Sequence, residues 1–265
     1  MKLVFKLTWV ALTWAALLVL AASGFGQTPA PKSTVPRGAD GKPDLSGVWQ
    51  GGSTVAGSWE EANSGTGVGG TGTNPNAPVA PASTDRLTRE GAPYQPWAAK
   101  KVLESFNKRA IDDPTSLCLP PGVPRTVTLG LFPQQMIQTP TQLVVLYEYM
   151  NVFRVIPLNV KHHEDAAPAY MGDSVAHWEG DTLVVETTNF NDQTHYRGSS
   201  MNLKVTERFK RVSDKTIEYR ATIEDPSTWS KPWSIELPFD SVPGPLFEYA
   251  CHEGNYAIVS ILGAK

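Results

Sequence analysis

The stretch Ser213-Asp-Lys-Thr-Ile-Glu-Tyr-Arg-Ala-Thr-Ile-Glu224 decides the fold class. Ile217, Tyr219, Ala221 and Ile223 alternate with Glu218, Arg220, Thr222 and Glu224, a strict period of two. Only a strand with one buried and one wetted face reads this way. Ser213-Asp214-Lys215 is the turn that precedes it. Upstream, Val205, Glu207 and Phe209 alternate with Thr206, Arg208 and Lys210. The two runs make an antiparallel pair.

The pattern continues outward in both directions. Gln142–Tyr149, Phe153–Leu158, Val175–Trp178 and Thr182–Thr188 are β-branched, apolar and aromatic. Glu179-Gly180-Asp181 joins the last two as a tight hairpin turn. Ser234–Phe239, Phe247–Cys251 and Tyr256–Leu262 extend the series towards the C-terminus, and Asp44–Gln50 stands ahead of it. Eight or more short strands at hairpin spacing predict a mainly β chain, either an antiparallel lipocalin-like barrel or a β-sandwich. Closure removes exposed edges, which favours the barrel. One helix is expected near residues 94–110, with Trp97, Val102 and Phe106 on its apolar side and Lys100, Lys101, Glu104 and Lys108 on its wet side.

Residues 1–26 read as a signal peptide. Lys2 and Lys6 precede an uncharged apolar run, Leu7–Ala22, that is shorter than the ~20 residues a spanning helix needs. Small residues follow, and cleavage is expected after Gly26. The protein is therefore expected to be periplasmic or secreted. Residues 27–43 are expected to be an extended leader and residues 44–265 a single β-rich domain. Residues 51–84, rich in Gly, Ser, Thr and Asn, read as a mobile loop within it. Loss of residues 1–26 moves the formal charge from −3 to −5, since Lys2 and Lys6 go with them. An acidic chain lacks the basic footprint of a nucleic-acid or anionic-membrane partner. Nothing after residue 27 is long and apolar enough to span a membrane as a helix. The chain has two cysteines, Cys118 and Cys251. In an oxidising compartment the expectation is a disulfide, the alternative being two buried thiols.

Three stretches carry a resemblance: Cys118-Leu-Pro-Pro-Gly-Val-Pro-Arg125, Met171-Gly-Asp-Ser-Val-Ala-His-Trp-Glu-Gly-Asp-Thr-Leu-Val-Val-Glu-Thr-Thr-Asn-Phe190, and Glu248-Tyr-Ala-Cys-His-Glu-Gly-Asn-Tyr256. They resemble a family of exported bacterial proteins for which no activity is established, over roughly residues 36–265. Gly47-Val48-Trp49 before a run of antiparallel strands also resembles the start of lipocalin-like barrels. That resemblance implies an Arg from a late strand beside Trp49, which the sequence does not single out.

All five histidines lie between residues 162 and 252. Imidazole is both a metal ligand and a base near neutral pH. Their spacing matches no zinc motif, and no cofactor motif is evident, so a His-bound metal stays an open alternative. His252 and Glu253 follow Cys251, whose crosslink would hold them rigidly. His195 and Asp192 share a polar loop after a strand, and His177 stands beside Trp178 on a hairpin. These five residues, His252, Glu253, His195, Asp192 and His177, are the candidate catalytic set. His162-His163-Glu164-Asp165 reads as a solvated turn. Trp178, Trp229, Trp233 and Tyr249 are candidate ligand-stacking residues, and Arg125 and Arg154 candidate holders of a ligand carboxylate. No serine-hydrolase elbow, phosphate loop, dinucleotide fingerprint or His-Glu-x-x-His is present.

Two functions from different classes follow. One is an exported barrel that binds a small, partly apolar molecule. The other is a cofactor-light or metal-dependent hydrolase, lyase or isomerase that uses the histidines. An envelope scaffold is a third class, suggested weakly by residues 51–84. Oligomeric state is not legible.

Overall fold

The structure, a computed structural model, describes residues 35–51, 92–98, 100–101, 113–128, 132–194 and 196–251. The signal-peptide reading, the Gly-rich loop apart from Gly51, and the strand expected at Tyr256–Leu262 lie outside them.

Nine strands form one sheet: β1 (Gly47–Gly51), β2 (Gln134–Gln138), β3 (Gln142–Tyr147), β4 (Phe153–Pro157), β5 (Asp173–Glu179), β6 (Thr182–Thr188), β7 (Lys204–Arg211), β8 (Thr216–Glu224) and β9 (Trp233–Ser241). Their order is β4-β3-β2-β1-β9-β8-β7-β6-β5, and each pair is antiparallel. An odd number of alternating strands leaves its two edges running the same way. Closure must therefore be parallel, and it is. Leu158 bridges Ala176 in parallel, and the Asn159 amide donates to the Ala176 carbonyl at 2.7 Å. The result is a nearly closed barrel, as expected.

The alternation decides which side faces in. On β8, Ile217, Tyr219, Ala221 and Ile223 are buried while Glu218 and Arg220 are exposed. Tyr219 packs on Phe209 and Phe239 with ring centroids 5.1 and 4.9 Å apart. With Trp49, Met136, Leu143, Ile156, Leu183 and Ile217 these rings fill the half of the barrel at the start of β1. Fully burying each such side chain stabilises the fold by about 1.5–3 kcal/mol.

The base of the barrel is tied at Trp49. Its indole N–H donates to the Leu45 carbonyl at 2.9 Å. The Arg211 guanidinium lies 5.0 Å from the ring centroid and donates to the carbonyls of Asp44, Ser213 and Asp214. Arg211, from β7, is thus a late-strand arginine packed on Trp49.

Three local expectations change. The leader is folded from residue 35: Arg37 bridges Pro43 and forms an ion pair with Asp181, and Lys42 lies over the Trp178 ring at 5.8 Å. Residues 96–98 and 100–101 are helical with Lys100 and Lys101 exposed as expected, but Trp97 is exposed too and Ala98 is the buried residue. Residues 102–110 lie outside the described residues. Arg125–Thr128 is a single helical turn, α1. Phe247–Cys251 is not a strand. The approach to it carries Pro243 and Pro245, which have no N–H to give a ladder. It is held instead by the Phe247 amide on Glu148 at 2.8 Å and by Tyr249 and Asn151.

Candidate functional site

The strand registers sort the sequence candidates by barrel end. Gly47 pairs with Met136, Thr182 with Lys210 and Arg211 with Ile217, so these mark the base. The opposite end carries Gln134, the Tyr147–Phe153 turn, Asp173, Thr188, Lys204, Glu224 and Trp233. That end is capped. Val123 and Val127 from α1 and its approach, with Phe190, Tyr196, Leu203 and Trp229, join the barrel core. Gly122 permits this close packing. Its φ is +76°, and a Cβ there would stand 2.3 Å from Thr194.

Beneath the cap lies a buried polar network. Arg154 Nη2 lies 2.7 Å from Glu207 Oε2 and 2.9 Å from both Ser174 Oγ and Thr187 Oγ1. Its Nη1 donates to the Tyr147 hydroxyl at 3.2 Å, and the Tyr219 hydroxyl donates to Glu207 Oε1 at 3.1 Å. Arg154 comes from β4 and Ser174 from β5, so this bond crosses the seam where the backbone ladder gives out. Burial raises the Tyr147 hydroxyl to about 12 and the Tyr219 hydroxyl well above its ordinary value. Burial alone would lower Arg154, but the Glu207 carboxylate outweighs it and holds the guanidinium charged. Arg154 was a candidate for a ligand carboxylate; its fork is taken by an internal one. The same holds for Arg125, which pairs with Asp113 at 3.0 Å.

Over the network sits an aromatic cluster. Trp229 and Trp233 meet edge to face at 5.5 Å, Tyr196 stacks on Trp233 at 6.1 Å, and Tyr94 flanks Trp229 at 6.2 Å. The Arg197 guanidinium lies 5.5 Å from the Trp233 ring centroid. Trp229 is set by the Asp225 turn: its amide donates to the Asp225 carbonyl at 2.8 Å. The Asp225 carboxylate accepts from the amides of Ser200 and Ser227 and from the hydroxyls of Ser227 and Thr228. Burial pushes this carboxyl up, but those hydrogen bonds outweigh it and hold it below the usual carboxylate range. A depressed carboxyl stabilises the fold above its unfolded value of about 3.9, and loses that effect as pH falls through the folded value. Asp225→Asn is therefore expected to cost about 2 kcal/mol at pH 6. The gap between the two proteins in urea midpoints should close as pH falls through the depressed value of Asp225.

Among the described residues, four buried polar atoms at this end have no hydrogen-bond partner: Gln134 Oε1, Arg154 Nε, Trp229 Nε1 and Trp233 Nε1. Three are donors and one an acceptor. Tyr249 is used otherwise, its ring packing 5.4 Å from Phe132 and 5.1 Å from Tyr149. Cys118 and Cys251 are joined by a disulfide with Cα atoms 5.7 Å apart.

No protein-family model matches the chain, and no curated protein does. A solved structure of a variant of the fluorescent protein UnaG is similar. It is 12% identical, covers 53% of this chain and 87% of that one, and superposes with a TM-score of 0.30.

Of the candidate catalytic set, His177 and Asp192 lie among the described residues. His177 faces outward towards the base, with Nε2 3.3 Å from Glu179, and Trp178 lies there too, under Lys42. Neither is near the capped end. Asp192 is exposed on a turn organised by Asn191, whose side chain accepts from the Gln193 and Thr194 amides. His195, His252 and Glu253 lie outside the described residues. The His162–Asp165 stretch is the expected exposed turn, with His162 half-buried. The Nδ1 atoms of His162 and His163 lie 2.7 and 2.9 Å from the two oxygens of Asp173. Among the described residues no group of three or more His, Cys, Asp or Glu side chains is placed to hold a metal, and no helix is long and apolar enough to cross a membrane. Sequence reasoning missed Glu207, Tyr219 and Gln134. One signal was available for Glu207, a charge at a position whose parity in β7 points inward.

Proposed function

We propose that this is an exported barrel that binds a small, partly apolar, uncharged molecule at its capped end. The observation that carries the reading is the set of four buried polar atoms without partners beside an aromatic cluster. Buried donors and acceptors are nearly always satisfied, and an exception calls for an explanation. A molecule with an apolar body and one or two acceptors would meet the indole N–H groups and Arg154 Nε, while Trp229, Trp233 and Tyr196 cover its body. The ligand should be neutral. Glu207 already balances Arg154, so a ligand carboxylate would leave a net negative charge in the interior, at a cost of several kcal/mol. The Cys118–Cys251 bridge supports export, since disulfides persist in oxidising compartments.

Calorimetric titration with methyl 1-naphthoate and with 1-naphthoate at pH 7 tests this. The two probes share an aromatic body and differ in charge. The ester is expected to bind at least tenfold more tightly, and Trp233→Ala to weaken it by about tenfold. Preference for the free acid would overturn the neutral assignment. Heat from neither probe at millimolar concentration would count against the capped-end site.

A further inference from the structure

Trp229 is 2% exposed, yet its indole N–H is one of the four buried atoms that a ligand would meet. A molecule reaches it where one of the segments over this end gives way, and those segments are held unequally. The α1 side is crosslinked: Cys118 is bonded to Cys251, Asp113 pairs with Arg125 at 3.0 Å, and Gly122 packs against Thr194. The loop of residues 226–230, between β8 and β9, is fixed at its root by the Asp225 carboxylate, and Thr228 Oγ1 lies 3.3 Å from the Gly198 carbonyl. Residues 92–95 are held differently. They meet that loop in a single antiparallel bridge, Tyr94 to Trp229. The Gln95 amide donates to the Thr228 carbonyl at 2.8 Å and the Ser230 amide to the Pro93 carbonyl at 2.9 Å. The Ser230 hydroxyl and the Gln95 side chain donate to the Pro93 and Pro226 carbonyls at 3.1 and 3.4 Å. These four bonds all engage the one loop, and the Tyr94 ring stands 6.2 Å from that of Trp229.

We infer that residues 92–95 are the gate of the capped-end site. They lift off the 226–230 loop as one piece, Tyr94 leaves Trp229, and the loop stays behind as the frame. What passes through the gate rests on the binding reading above; the opening itself does not. The two backbone bonds lie on either side of one bridge, so they break together. Breaking them separates no strand from the sheet, and openings of that size lie far below global unfolding in free energy. Pro93 and Pro96 fix φ on either side of the bridge and keep the piece in shape as it moves. A gate of this kind sets how fast an enclosed site fills and empties, and leaves the affinity to the residues inside.

Amide hydrogen exchange of the disulfide-intact protein, with stopped-flow mixing against methyl 1-naphthoate, tests the inference. The Gln95 and Ser230 amides should show equal protection, at least about 100-fold below that of Tyr219 and Ala221 in β8. The Trp229 amide, bonded to the Asp225 carbonyl, should stay protected when they open. Saturating ester should slow exchange at Gln95 and Ser230. Tyr94→Ala should speed association and dissociation alike, each about tenfold, and leave the dissociation constant within about threefold. An unchanged urea midpoint would show that this variant folds. Gln95 and Ser230 amides as protected as those of β8 would overturn the inference, as would a Trp229 amide that opens with them. So would a folded Tyr94→Ala variant that releases the ester faster but takes it up no faster, which is the mark of a wall. Joint opening of the two amides in a protein that takes up no ester would uphold the motion and overturn the binding reading instead.

Discussion

Replacing Glu207 with Leu while Arg154 stays is expected to lower the stability of the fold by about 3–5 kcal/mol. The pair is fully buried at 2.7 Å, and its removal on one side leaves a guanidinium without an opposing charge inside the barrel. Arg154→Met should cost a similar amount, leaving the Glu207 carboxylate with only the Tyr219 hydroxyl to answer it. The double variant Arg154→Met/Glu207→Leu should return to within about 1–2 kcal/mol of the unmodified protein, because apolar side chains of similar volume replace a buried ion pair at little net cost. Urea denaturation of the three variants measures the coupling. Single variants that lose less than about 1 kcal/mol would mean that water reaches the pair.

The Cys118–Cys251 crosslink should have an effect of similar size. Its half-cystines are 133 positions apart, so breaking it releases a long loop in the unfolded chain. The chain-entropy account puts the loss at about 4–5 kcal/mol. Cys118→Ala/Cys251→Ala should therefore unfold at much lower urea than the oxidised protein. Dithiothreitol should bring the unmodified protein to the same midpoint and leave the double variant unmoved. Within the native fold the bridge secures a segment with little else to hold it. Phe247 and Tyr249 anchor it through Glu148 and Asn151, without a β ladder. A midpoint indifferent to reductant would show that the two sulfurs are not joined.

The barrel was legible in the sequence where one face of a strand is wet. On β8 the charges alternate with the apolar residues, and the buried set is the one that parity indicates. The same parity applied to β7 points Glu207 inward. Its partner could not be read, because Arg154 is 53 positions away and register across a nine-stranded sheet depends on every turn between them. The late-strand arginine over Trp49 was unreadable for the same reason; Arg211 is selected by register and by three carbonyls near the base. Parity failed at Phe247–Cys251, where an apolar, aromatic run is tied by Glu148 and Asn151 rather than by a ladder. Of the candidate site, Trp229 and Trp233 were legible as aromatics flanking Lys231-Pro232. Trp178 and His177 look equivalent in sequence, yet the β5–β6 hairpin carries them to the opposite end of the barrel.

Native mass spectrometry of the protein isolated from its source without denaturant tests the binding proposal most directly. The account predicts a one-to-one complex with an uncharged organic molecule, released when the protein is unfolded and absent from a Trp233→Ala variant that folds normally. The bare chain alone, in a preparation that also fails to take up methyl 1-naphthoate, would contradict it, as would a retained carboxylate or metal ion.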